Sequence, residues 1–302
     1  MAMLTMAQFL TTEAPDKDKA IAKLFVEEGR LFREIPWETS AQAGVPFNKQ
    51  TGLPGSAARA VGETYTASTG TVEPGFEAMK IYGGIAQFDA FQVATGSGSR
   101  RSFEIASKVE SAVRNFTADF VKGDTASDPR VVNGLQLRCT DTTKNLYAPG
   151  TGAPTITHGL TAKKMARKPT HVIMGEGLHT RFSVAAHNTA VGGYISRTKD
   201  GMGEEVMMLF GLPVIVVERD ETDAEILDFS EASSSTSLYF VSFRPDMCHG
   251  VQVAPPRVED LGRDPTNGTR YNALVDWYAT FMIRHDRAVV RWSGITDAAV
   301  TL

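Results

Sequence analysis

A chain of 302 residues, 42% hydrophobic and 22% charged, is ordinary globular material, long enough to bury a sizeable core and to divide into two domains. A net charge of -4 carries no polybasic signature, which argues against a dedicated sequence reader of nucleic acid but leaves room for weak contact with nucleic acid on one face. The two cysteines, Cys139 and Cys248, are too few for a disulfide framework and read as reduced thiols. With no bilayer-length apolar run, no secretory leader and no lipidation motif expected, a soluble chain is predicted.

Residues 1–14 lack a core-forming pattern and read as an extended arm. The spacing of Ile21, Leu24 and Phe25 predicts a short helix over 16–28, with Pro15 ahead of it and Gly29 behind. Residues 31–37 lead into a ribbon from Thr39 to Thr71 with little to bury. Its large apolar residues are Val45, Phe47, Leu53, Val61 and Tyr65, set among glycines at 44, 52, 55, 62 and 70. Gly-Leu-Pro-Gly places the tip at 52–56. Arms of about 15 residues at roughly 3.3 Å each would reach on the order of 50 Å. A lone two-stranded hairpin is marginal in water, so its supporting surface is expected on another copy or another protein.

Residues 76–93 read as strand, with Met79, Ile81, Ile85, Phe91 and Val93 of one parity and a bulge at Gly83-Gly84. A flexible break follows at 96–100. Residues 101–122 then form the clearest helix, with Ile105, Val109, Ala112, Val113, Phe116 and Phe120 at three- and four-residue spacing and Gly123 behind it. From 131 to 261 short strands alternate with helices: strand 171–174, helix 178–188, a hairpin of 194–196 with 206–210, and strands 214–217, 238–243 and 251–253. Period-two alternation from Tyr271 to Ile283 predicts a long strand, turning at 285–287 into a hairpin partner at 288–292. The helix at 101–122 is the large element available to cover that strand. The prediction is therefore an α+β chain in which 131–261 is inserted into a discontinuous domain.

Catalytic and ligand-binding readings find little footing. The 96–100 segment precedes a helix, where anions bind, but lacks the Gly-Lys-Ser/Thr ending of a phosphate loop. The six histidines show no four-residue metal spacing. A Cys139 and His249 nucleophile pair has no local support, and a buried thiol is the commoner state. The acidic stretch 218–225 lacks the glycine and distal glutamate of a calcium loop and reads as solvated, and no Gly-x-Ser-x-Gly elbow occurs. A soluble enzyme using Cys139 or a histidine stays as a rival, but no catalytic residue, cofactor or metal is assigned. The ribbon's charges are Lys49, Arg59 and Glu63. On a lone hairpin they would be solvated. Across a neighbour they would fix register against Lys108, Glu110, Arg114 and Asp119 of the 101–122 helix.

The order of these parts, together with local strings, resembles the HK97-fold major capsid proteins of tailed bacteriophages. The strings are Ile35-Pro-Trp-Glu38, Asn48-Lys-Gln-Thr-Gly-Leu-Pro54, Arg59-Ala-Val-Gly-Glu63, Phe120-Val-Lys-Gly-Asp124, Phe210-Gly-Leu-Pro-Val214 and Val275-Asp-Trp-Tyr-Ala-Thr-Phe281. The resemblance runs from about residue 20 to 296. It implies an N-terminal arm over 1–34, an E-loop hairpin over 35–75, and a P-domain built from 76–130 with its spine helix at about 101–122. It further implies an inserted α/β A-domain over 131–261 and P-domain strands over 262–302.

It also implies a non-enzymatic virion protein that self-assembles, after synthesis in a host cytoplasm, into hexamers and pentamers of an icosahedral or prolate head around double-stranded DNA. Because 1–34 is all that precedes the ribbon, a separate scaffolding protein is expected, with a portal and optionally a decoration protein as further partners. Lys49 sits in the ribbon, where some members of the family cross-link a lysine, but no motif establishes that chemistry and no covalent link is expected. An encapsulin-like nanocompartment, which shares the fold and encloses an enzyme cargo, is the alternative.

Overall fold

The computed structural model describes residues 29–91, 98–199, 203, 205–217, 219–232 and 234–302, so the predicted arm and the helix over 16–28 lie outside the described residues. In chain order the first elements are α1 (Arg30–Glu34), β1 (Trp37–Thr39), β2 (Gly44–Gly52), β3 (Thr71–Ala78), β4 (Lys80–Asp89), α2 (Gly98–Lys122) and α3 (Leu135–Arg138). Next come β5 (Leu146–Tyr147), α4 (Ile156–Met165), β6 (His171–Gly175), α5 (Glu176–Ala185), β7 (Ile195–Lys199), β8 (Glu205–Leu209) and β9 (Leu212–Val217). The last are β10 (Ser235–Val241), β11 (Cys248–Gln252), β12 (Arg257–Arg263), β13 (Arg270–Ile283) and β14 (Val289–Thr296).

The first sheet is built on β13, whose alternation turns Ala273, Val275, Trp277, Ala279 and Phe281 to one face, none more than 1% exposed. Helix α2 lies across that face and buries Val109, Ala112, Val113, Phe116 and Phe120. Phe116 is the hub, its ring 4.9 Å from Trp277, 5.0 Å from Phe32 and 5.3 Å from Tyr82. Both indole N–H groups find acceptors, Trp37 on Phe32 O at 3.1 Å and Trp277 on Gln252 Oε1 at 3.0 Å. Burying each such ring contributes roughly 2–3 kcal/mol. The helix begins at Gly98, so part of the expected 96–100 break is helical; residues 96 and 97 lie outside the described residues.

Strand β4 corrects two expectations. It pairs with β13 without interruption from Lys80 opposite Ala279 to Asp89 opposite Arg270, so there is no bulge. Gly83 is instead a close approach: at φ +149° it lies against Val275 O, where a Cβ would collide, and Gly84 lies beneath the Lys108 side chain. The buried parity is Tyr82, Ala86 and Phe88, while Ile81 and Ile85 are 72% and 51% exposed. Both parities of this strand carry large apolar residues, and the position of α2 selects the even one.

The expected C-terminal hairpin is also corrected. Ala273 pairs with both Ala86 and Asp260, and Ala279 with both Lys80 and Gln252, so β4 occupies one edge of β13 while β12 and β11 share the other. With those edges taken, the chain crosses at 285–287 and β14 joins a second sheet, ordered β5-β14-β10-β6-β9-β8-β7. Val251, expected in the α/β layer, sits in β11 of the first sheet, beside β1. Strand β10, buried along its whole length, lies inside the second sheet between β14 and β6, and α4 and α5 are among the connections of that sheet. Ile173, Ile215 and Tyr239 of this sheet share one apolar core with Phe281 and Phe120, which joins the two sheets.

The ribbon is present, but its tip is not at 52–56. Strands β2 and β3 pair from Gly44 opposite Ala78 to Gly52 opposite Thr71. Beyond them, Ser68 Oγ donates to Gly55 O at 2.7 Å, and the chain reverses at Val61-Gly62, where Glu63 N donates to Ala60 O at 3.2 Å. Gly62 adopts φ +92°, the left-handed region in which glycine is favoured. Pro54 has no N–H to extend the ladder, so Gly-Leu-Pro-Gly ends strand pairing without turning the chain. Two aromatic rings lie over glycines across the strands, Phe76 over Gly44 on one face and Phe47 over Gly75 on the other.

Candidate assembly surface

The two faces of the ribbon differ. Register places Phe47, Lys49 and Glu77 on the inner face, toward the body, and Pro46, Phe76, Pro74 and Val72 on the outer face, where Phe76 and Val72 are 67% and 54% exposed. From Leu53 to Gly70 every residue is exposed, including Leu53, Val61 and Tyr65. A second apolar patch, Ile81 and Ile85, lies on the side of the first sheet away from α2. Uncovered apolar area of this kind marks interaction surfaces.

The structure gives each of the seven charged candidates a place within its own chain. Lys49 pairs with Asp286, which also holds Lys144 at 2.8 Å. Burial pushes the Asp286 carboxyl up, but the Lys144 and Lys49 hydrogen bonds and their charges outweigh it and hold it below the usual range. At the tip, Arg59 donates to Glu63 O at 3.1 Å and lies 5.2 Å from the Tyr65 ring centre, while Glu63 Oε2 accepts from Ala60 N at 2.9 Å. These two charges brace the turn.

On α2, Lys108 lies over Gly84, facing β4. Glu110 and Arg114 pair with each other at 2.6 Å, and Arg114 also donates to Asp220 O at 3.3 Å. Asp119 lies beside the Tyr82 hydroxyl, its carboxyl raised to about 6, mainly by burial. The structure therefore does not bring the ribbon charges and the helix charges together within one chain. It also shows an ion pair that sequence reasoning missed, Glu77 with Arg138, separated by 61 positions and carrying no local signal.

The residues considered for chemistry have these surroundings. Cys139 is buried, its Sγ 3.9 Å from Val289 O, and burial pushes its thiol up to about 12; burial does the same to Cys248. His249, lowered to about 4 mainly by burial, faces Glu38 at 3.3 Å, so it and Cys139 have different partners. In the acidic segment, whose Glu218 lies outside the described residues, 221–224 are exposed, as expected of a solvated loop, and the loop is in addition tied to α2. Ser111 and Asn115 donate to Glu221 at 3.2 and 2.9 Å, and Asp220 Oδ1 accepts from Thr222 N and Ala224 N. Among the described residues no group of three or more His, Cys, Asp or Glu is arranged to hold a metal, and no helix is long and apolar enough to cross a membrane.

No family model matches the chain, and no curated protein matches it. Solved structures do. The holo-SrpI encapsulin complex from Synechococcus elongatus PCC 7942 aligns with a TM-score of 0.60 at 12% identity, covering 99% of this chain and 98% of that one. The capsid of the empty GTA particle aligns at 0.60 and 11% identity, covering 89% and 90%. The structure of Mycobacterium phage Bobi aligns at 0.57 and 11% identity, covering 91% of each chain. This chain has the α+β fold of HK97-type shells, the fold that its sequence resembles.

Proposed function

We propose that this chain is the subunit of a self-assembling shell, the major capsid protein of a tailed-phage head, forming hexamers and pentamers around double-stranded DNA. The supporting observation is the ribbon: a full hairpin that projects from a two-sheet body and keeps its outer apolar face, from Val72 and Phe76 to the tip, uncovered. Laid over a neighbouring subunit, that face is buried, and many moderate contacts add around a closed symmetry. The charges at the tip, Arg59 and Glu63, are then placed to set register against the neighbour. In this reading a scaffolding protein, a portal and optionally a decoration protein are separate partners, and the virion is the site of action. The chain acts by association and not by catalysis. In this reading the domains follow the divisions that the resemblance implies, with β14 in the second sheet and β11 and β12 in the first.

A second reading, an encapsulin-like compartment around a protein cargo, is favoured by the encapsulin alignment, which spans both chains nearly end to end. The contents of purified particles separate the two, DNA in one case and a co-purifying protein in the other. The assembly reading is tested by replacing 53–70 with a two-residue Asn-Gly turn. The truncated chain is expected to keep the circular dichroism of the body and to form no shells in electron micrographs, whereas shells of normal size would remove the ribbon from the mechanism.

A further inference from the structure

The base of the ribbon is fastened to the body at two points, one on each strand. On β3, the Glu77 carboxylate receives both arms of the Arg138 guanidinium, at 2.5 and 2.9 Å, with the two side chains only 20% and 17% exposed. Arg138 is itself immobilised: its Nε donates to Asn133 O at 2.7 Å, and its guanidinium lies 4.6 Å from the centre of the Phe281 ring on β13. On β2, Lys49 pairs with Asp286, which sits in the crossing from β13 to β14 and is held from its other side by Lys144. Both bonds arise on the inner face of the ribbon, and both end where the two sheets meet. Between them is a cavity of about 250 Å³ lined by Phe47, Ile283 and Val289, so apolar packing does not fill the joint.

We propose that Glu77–Arg138 and Lys49–Asp286 form a clamp that fixes the angle at which the ribbon leaves the body. A bidentate, largely buried fork is directional in a way that apolar contact is not, and removing one partner leaves the other charge unpaired. With the clamp closed, the outer face of the ribbon is presented in one orientation. With it open, the hairpin pivots over the cavity about the Ala43–Met79 end, where Met79 N donates to Ala43 O at 2.9 Å. In a shell the ribbon angle sets how one subunit is inclined to the next, so these four residues determine curvature. That consequence rests on the shell reading, while the clamp itself does not.

The test is a distance measurement on the full-length chain, isolated as monomer by size exclusion. Spin labels are placed at Ser56→Cys on the ribbon and Thr161→Cys on α4, both exposed, the native cysteines being buried. The parent is expected to give one narrow distance distribution, and Lys49→Met with Glu77→Gln to add a broad second population while the circular dichroism is unchanged. A double variant as narrow as the parent overturns the clamp. Should the double variant fail to fold, each single substitution is measured, and two narrow distributions overturn it equally. Micrographs of the same proteins report separately on the shell reading. Shells of uniform size from the parent and mixed sizes from the variant support both, and a broadened variant whose parent never assembles keeps the clamp and removes the shell.

Discussion

At Phe116 the link from sequence to fold is most direct. It is the helical residue whose ring meets Phe32, Trp37, Tyr82, Phe120 and Trp277, and it is fully buried. Phe116→Ala is expected to cost about 3–5 kcal/mol, read from the urea midpoint, because five rings cannot all close the space. A loss near 1 kcal/mol would mean that α2 is not packed as described. Asp119 gives a second test, in pH. Its folded value, about 6, lies above its ordinary 3.8. The native state therefore binds this proton more tightly than the unfolded chain, and the stability so gained is complete below the unfolded value and lost as pH rises through the folded one. Replacing it by asparagine removes that loss. The melting temperature of Asp119→Asn relative to the parent is expected to grow more favourable from about pH 4 to about pH 7. A difference that does not change with pH would contradict the burial of this carboxyl.

Among elements, what was legible depended on whether one parity or one face was apolar. Strand β13 and helix α2 could be read because Val275, Trp277 and Phe281, like Val109, Phe116 and Phe120, recur on a single face with polar residues between them. Strand β4 could not be assigned a face, because Ile81 and Ile85 compete with Tyr82 and Phe88. The partner of β14 could not be read at all, since it depends on which edges of β13 are already occupied, a property of the assembled sheet. Of the seven charged candidates on ribbon and helix, Arg59 with Glu63 and Glu110 with Arg114 have partners four residues away, whereas the partners of Lys49 and Asp119 lie far off in sequence, and Glu77 with Arg138 left no trace there. Gly83 shows how a wrong local reading can still mark an important residue. Gly83→Ala is expected to destabilise the fold by on the order of 2 kcal/mol or more, since both its φ and the nearby Val275 O exclude a Cβ. Hydrogen exchange should show β4 opening ahead of β10, and equal protection of β4 in variant and parent would contradict the close approach.

For the whole molecule, the body and the ribbon answer to different requirements. The two sheets close over a common core. The ribbon spends its inner face on the clamp at its base and leaves its outer face for something else. A monomer built this way carries an exposed apolar hairpin that association would cover, which is the physical reason for reading the chain as a shell subunit. The most direct test is cryo-electron microscopy of the full-length chain after size-exclusion chromatography, expressed alone and with candidate scaffolding partners. The account predicts closed shells or capsomer rings in which each ribbon lies on an adjacent subunit. Monomers or dimers under every condition, with the outer face of the ribbon still open to solvent, would contradict it.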